Sequence, residues 1–211
     1  AHLVDGLGSA SLTSVWLRRW AAEPAPPVVF DDAAGWVSGG ELEARSRQVA
    51  GRFAAAGLVA GDRLLVSAEA SVELVVAYVA ALRLGLVVVP VNTAYREREI
   101  THVVADARPA AALVDHAERA RWVRSAAGDR PLVVVGPEVD RPDPAGELPV
   151  GVLDATGPQD PALLLYTSGT TGSPKGALLR HGNLLASAEA VGVAWRWTPQ
   201  DRLVLALPLF H

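Results

Sequence analysis

The chain has 211 residues and carries 19 Lys and Arg against 23 Asp and Glu, a formal net charge of −4 at pH 7. Half of the residues are hydrophobic and 20% are charged, enough apolar material for a sizeable core, which excludes disorder of the whole chain. No basic block exceeds Arg18-Arg19 and there is no cysteine, which argues against nucleic acid or an anionic membrane surface as partner, excludes disulfides and thiolate metal sites, and fits a reducing cytoplasm. The first residues, Ala1-His2-Leu3-Val4-Asp5, have neither the basic start nor the apolar run of a signal peptide. The most apolar stretch, Leu74 to Val91, is interrupted by Arg83 and Gly85, so it reads as a buried helix followed by a buried strand and not as a membrane span.

Along the chain, Leu12, Val15, Trp16, Leu17 and Trp20 recur at helical spacing, and Pro24, Pro26 and Pro27 stop that helix. A short β pair follows, Val28-Val29-Phe30 and Trp36-Val37, joined by a turn from Asp31 to Gly35. Ser38-Gly39-Gly40-Glu41 has the spacing of a capping box, and Leu42, Val49, Phe53 and Leu58 continue a helix face behind it. Apolar runs then alternate with helical patterns. Strands are expected at 64–66, 86–89, 110–114 and 132–135, with helices at 71–84, 97–107 and 116–125. Strand runs that are apolar throughout, separated by helices, indicate βαβ units. The expected fold is α/β: a doubly wound, parallel sheet with helices on both faces.

From Gly136 to Pro161 the pattern dissolves, and six of the 15 prolines fall there. The segment reads as a surface loop or an interdomain linker, and the return of a strand pattern at Leu163-Leu164-Leu165-Tyr166 favours the loop. Further strand character is expected at Leu203-Val204-Leu205-Ala206-Leu207.

Directly after Tyr166 comes Thr167-Ser168-Gly169-Thr170-Thr171-Gly172-Ser173-Pro174-Lys175-Gly176. Five hydroxyl side chains, three glycines and one lysine in ten residues suit an anion. Glycines let backbone N–H groups approach and turn inward, hydroxyls donate hydrogen bonds, and the lysine brings a positive charge. A polyphosphate is the natural ligand. The segment is not a Walker P-loop, since Pro174 precedes the lysine and Gly176 follows it, and Ser168 does not stand in a G-x-S-x-G nucleophile elbow.

These ten residues resemble the phosphate-binding signature of the adenylate-forming superfamily, which includes acyl-CoA synthetases, adenylation domains of nonribosomal peptide synthetases and firefly luciferases. Three weaker motifs stand in the family's order: Trp36 to Leu42, Leu82 to Asn92, and Leu207-Pro208-Leu209-Phe210-His211. The resemblance implies that residues 1–211 are the N-terminal portion of an AMP-binding domain, with a C-terminal part and lid beyond it. It also implies ATP-dependent activation of a carboxylic acid to an acyl-adenylate and its transfer to coenzyme A, with Mg2+ assisting. Thr167, Ser168, Gly169, Thr170, Thr171, Gly172 and Lys175 would hold the ATP phosphates, and His211 would line the acyl pocket unless it is an inert end residue. The family's catalytic lysine and magnesium ligand belong to segments this chain does not contain, so the 211 residues alone are expected to be inactive. An adenylation domain loading a carrier protein, or a non-catalytic nucleotide-binding module, remains the alternative. The stretch Ala194 to Asp201 is similar to malonyl- and methylmalonyl-CoA synthetases, which implies a short dicarboxylate ahead of a fatty acid and makes Arg196 the candidate partner of a second carboxylate.

Of the other polar residues, Asn183 is a candidate helix cap after a structural His181. His2, His102 and His116 lack metal-like spacing, and Arg96-Glu97-Arg98-Glu99 reads as a solvated helix start. Trp16 and Trp20 read as core.

Overall fold

The computed structural model describes residues 10–135, 153–167, 174–205 and 208–209. Helix α1, Leu12–Ala22, begins where the Ser11 hydroxyl accepts the Ser14 N–H at 3.2 Å. Strands β1, Pro27–Asp31, and β2, Gly35–Ser38, form an antiparallel pair. The capping box is present at the start of α2, Gly39–Ala55: Ser38 Oγ accepts from Glu41 N–H, and Glu41 Oε2 accepts from Ser38 N–H at 2.7 Å. Leu42, Val49 and Phe53 of α2 are almost fully buried, each contributing about 1.5–3 kcal/mol by leaving water.

The alternation expected from the sequence follows. It comprises β3 Arg63–Ser67, α3 Val72–Leu84, β4 Val87–Pro90, α4 Glu97–Ala107, β5 Ala111–Val114, α5 Ala117–Ala127 and β6 Val133–Val135. Gly85 ends α3 with φ 79°, a left-handed turn that a Cβ would strain and crowd against Ala60 at 3.0 Å. After residue 153 come β7 Pro161–Thr167, β8 Lys175–Arg180 and α6 His181–Ala194.

The strand order of the main sheet is β6-β5-β3-β4-β7-β8. All neighbours are parallel except β7 and β8. Alternate residues of the central strands feed two cores. Leu64, Val66, Val88, Ala111 and Leu113 join α1, α2 and α3 on one face, while Leu65, Val89, Ala112 and Val114 join α4 and α5 on the other. This is the doubly wound arrangement expected from continuous apolar runs.

The structure adds one element to those expected: β8 is an antiparallel edge strand paired with β7. Two expectations are corrected. Residues 203–205 form no strand and stand in solvent, Val204 89% exposed, because no neighbouring strand among the described residues supplies a ladder for them. Asn183 is not the N-cap of α6. It sits at the third helical position, where its Oδ1 accepts the Arg180 N–H at 3.0 Å.

Among the described residues no helix is long and apolar enough to cross a membrane. Arg83, which interrupts the apolar stretch, is fully buried and bound by carboxylates.

Candidate functional site

The described ends of the hydroxyl- and glycine-rich motif, Thr167 and Pro174 to Gly176, lie where β7 and β8 pair. β7 runs parallel to β4, and its carboxyl end is therefore the end of the sheet where doubly wound folds bind ligands. There the chain reverses, and Thr167 comes into register with Lys175. The Thr167 hydroxyl also donates to the Lys175 carbonyl at a long 3.5 Å. Of the expected phosphate-binding residues the structure thus places Thr167 and Lys175 side by side at the root of the hairpin. Ser168, Gly169, Thr170, Thr171 and Gly172 lie outside the described residues, as does His211.

Lys175 is the only lysine in the chain. It is exposed, and no carboxylate among the described residues is within ion-pair distance of it. An unneutralised ammonium at a strand end is free to meet an anion. Gly176, opposite Tyr166, has a structural reason to be glycine, since a Cβ would come within 2.9 Å of Leu164 Cδ1 and 3.4 Å of the Tyr166 ring.

Helix α4 braces this hairpin, a feature the sequence reading missed. The Tyr166 hydroxyl donates to the Asp106 carboxylate, and His102 Nε2 lies 3.0 Å from the Pro174 carbonyl. A carbonyl only accepts, so the proton of that contact sits on Nε2. The His102 ring also meets Tyr166 edge-on, with centroids 6.3 Å apart. Burial, reinforced by the Asp106 carboxylate, pushes the Tyr166 phenol well above its usual pKa, so it remains a donor at neutral pH.

A cavity of about 180 Å3 opens at the carboxyl ends of β3 and β5, lined among others by Glu69, Ser71, Glu73 and Asp115. Its three carboxylates disfavour a polyphosphate. No group of three His, Asp or Glu able to hold a metal ion exists among the described residues. Arg196, the candidate partner of a second carboxylate, is exposed at φ 54° between Trp195 and Trp197. His116 caps α5, its Nδ1 accepting the Glu118 N–H at 3.3 Å. Leu209, within the last motif, packs on the first core, and its carbonyl accepts the Tyr78 hydroxyl at 3.1 Å.

Thr167 and Lys175, the described ends of the hydroxyl- and glycine-rich motif, thus stand together at the carboxyl end of β7 in a doubly wound sheet. The chain belongs to the AMP-binding enzyme family, whose sequence profile matches residues 17–211. It is 36% identical over 172 residues to a feruloyl-CoA synthase of Amycolatopsis, covering 81% of this chain and 34% of that protein. An L-proline–[L-prolyl-carrier protein] ligase of Pseudomonas fluorescens is 34% identical over 172 residues, 80% of this chain and 34% of that one. A malonate–CoA ligase of Arabidopsis thaliana is 31% identical over 162 residues, 74% and 26% respectively. Among solved structures, apo MatB from Rhodopseudomonas palustris superposes with a TM-score of 0.79 at 31% identity, covering 96% of this chain and 41% of MatB. The chain thus spans about a third of the curated relatives it matches.

Proposed function

We propose that the 211 residues are the N-terminal portion of an AMP-binding domain, in a protein that converts a carboxylic acid to its acyl-adenylate with ATP and passes the acyl group to coenzyme A. The observation that carries this reading is the exposed Lys175, with no carboxylate partner among the described residues, held beside Thr167 at the carboxyl end of β7. In the reaction a carboxylate oxygen attacks the α-phosphorus, the bond to the β-phosphate bridging oxygen breaks, and pyrophosphate leaves with the electron pair. The motif's task is to hold the β- and γ-phosphates and spread the charge that grows on the leaving group. Lys175 supplies an ammonium for that charge. Thr167, Ser168, Thr170 and Thr171 supply hydroxyls, and Gly169 and Gly172 let backbone N–H groups come close. The described residues do not fit Mg2+, so no step is assigned to the ion.

A small carboxylic acid is the expected substrate. A malonate-like dicarboxylate is favoured over a fatty acid by the malonate–CoA ligase relative and by the stretch from Ala194 to Asp201, and His211 is assigned to the acyl pocket. Zero cysteines suit a cytoplasmic site of action. Transfer to a carrier protein is the second reading, favoured by the prolyl-carrier-protein ligase relative.

Calorimetry with ATP and with pyrophosphate tests the phosphate site. Lys175→Ala is expected to weaken binding by about 1–3 kcal/mol, the worth of a charge-assisted contact. Equal affinities would remove Lys175 from the site. Carboxylate-dependent ATP–pyrophosphate exchange then tests the activity. None is expected from the 211 residues alone, and activity is expected on adding a separately expressed C-terminal part, with malonate preferred to octanoate.

A further inference from the structure

Both strands of the hairpin root are tied to one turn of α4. His102 and Asp106 stand four residues apart and so project from the same helix face. Asp106 receives the hydroxyl of Tyr166, immediately before Thr167, and His102 donates to the carbonyl of Pro174, immediately before Lys175. The helix that offers these groups is itself firmly seated. Its Ile100, Val103, Val104 and Ala107 are fully buried in the second core. Its last turn is held by arginines, Arg63 donating to the Ala107 carbonyl at 2.6 Å and Arg130 to the Val104 carbonyl at 3.3 Å.

We infer that His102 is a positioning residue for Lys175, fixing the peptide from which the phosphate-binding ammonium departs. The Pro174 ring already restricts rotation on one side of that peptide. The ladder pairing of Lys175 with Thr167 restricts the other side. The His102 contact fixes the remaining freedom, the direction of the Pro174 carbonyl, and with it the plane of the Pro174–Lys175 bond. A lysine loses much side-chain entropy on binding an anion. Holding its backbone in advance spares it a further loss, so phosphate affinity gains without any contact between His102 and the ligand. Asp106 and Tyr166 do the same for the opposite strand. The inference rests on the assignment of Lys175 to phosphate.

Because Lys175 is the only lysine, a lysine-specific endoprotease cuts the native chain at one bond, Lys175–Gly176, and its rate reports opening of the hairpin root. His102→Ala is expected to raise that rate about 5-fold, the factor for losing one hydrogen bond of ordinary strength. The pyrophosphate affinity measured by calorimetry is expected to fall by a similar factor. His102→Gln, whose amide nitrogen reaches the position of Nε2, is expected to restore both values, and His102→Asn, whose nitrogen stops short, is not. Tyr166→Phe removes a single oxygen at a half-buried site and is expected to raise cleavage in the same way, with a melting temperature lowered by no more than about 2–4 °C in any of these variants.

Unchanged cleavage in His102→Ala overturns the inference. So does raised cleavage with unaltered pyrophosphate affinity, or failure of the glutamine variant to rescue. If pyrophosphate binds the wild type and Lys175→Ala equally, the phosphate assignment itself fails and takes the inference with it. If Lys175→Ala weakens binding while His102→Ala does not, only the inference fails.

Discussion

Arg83 shows how one residue ties distant parts of the chain together. Its side chain is fully buried, and all five of its donor hydrogens find an acceptor. Nε and one terminal nitrogen grip both oxygens of Asp154 at 3.0 Å, and the other groups reach the Glu43 carboxylate at 3.1 Å, the Glu43 carbonyl at 2.9 Å and the Ser46 hydroxyl at 2.9 Å. Burial raises the Glu43 carboxyl, but Arg47 and Arg83 outweigh it and hold the group below its usual value. Asp154 lies at the approach to β7, so this cluster fixes where the phosphate-bearing strand begins. Asp154→Ala leaves the buried guanidinium with a single carboxylate. It is expected to lower stability by about 3 kcal/mol, at the lower end for breaking a buried pair because Glu43 remains. Urea unfolding reads this directly, and a loss below 1 kcal/mol would mean that water replaces Asp154. The sequence displayed Arg83 only as an interruption in an apolar run, because its partners stand 40 and 71 residues away.

Elements with their own local signals were legible, and those defined by a neighbour were not. Ser38 and Glu41 announced α2, and the runs at β3, β4 and β5 were apolar because both faces are covered. Lys175-Gly176-Ala177-Leu178-Leu179-Arg180 has neither alternation nor a strong β former, and β7 alone makes it a strand. For the same reason the brace on the site was invisible: His102 and Asp106 meet residues 72 and 60 positions on. His181, at the start of α6, gives this scale its prediction. The ring is fully buried, and neither nitrogen has a partner among the described residues. Burial lowers its pKa, with Asp160 pulling weakly the other way. The folded state keeps His181 neutral, whereas the unfolded chain protonates it near 6.5. Stability is therefore fully present above that pH and is lost as the pH falls from it toward the folded-state value, by at most about 1.4 kcal/mol per unit. Urea midpoints at pH 7.5 and 5.8 are expected to differ for the wild type and to converge for His181→Leu, and an equal drop in both would place the titration elsewhere.

At the scale of the whole molecule the two faces of the sheet are closed, while one end of it is not. The edge strand β8 is exposed along nearly its whole length, and among the residues of α6 only His181 and Leu185 are buried although the helix is apolar nearly all round. A helix of that composition belongs in an interior. Val193 within it is 71% exposed, and Trp195 (63%), Leu203 (61%) and Val204 (89%), which follow in sequence, are exposed as well. Exposed apolar side chains such as these, and an edge of β8 that pairs with no further strand among the described residues, are features that single folded chains seldom leave in water. The 211-residue polypeptide is therefore expected to self-associate, through the edge and these side chains together. Sedimentation velocity from about one to one hundred micromolar should show a weight-average coefficient that rises with concentration, over the range in which burying a few hundred square ångströms becomes favourable. Val193→Glu with Val204→Glu places two charges among these side chains and touches neither core, so the double variant should remain monomeric with the wild-type melting temperature. Lys175 lies at the other end of β8 from α6, and pyrophosphate affinity should be the same in wild type and double variant. A wild type that is monomeric at every concentration would show that the chain shields these side chains by its own rearrangement, and the tryptophan emission of Trp195 and Trp197 would then lie to the blue of its solvent-exposed position.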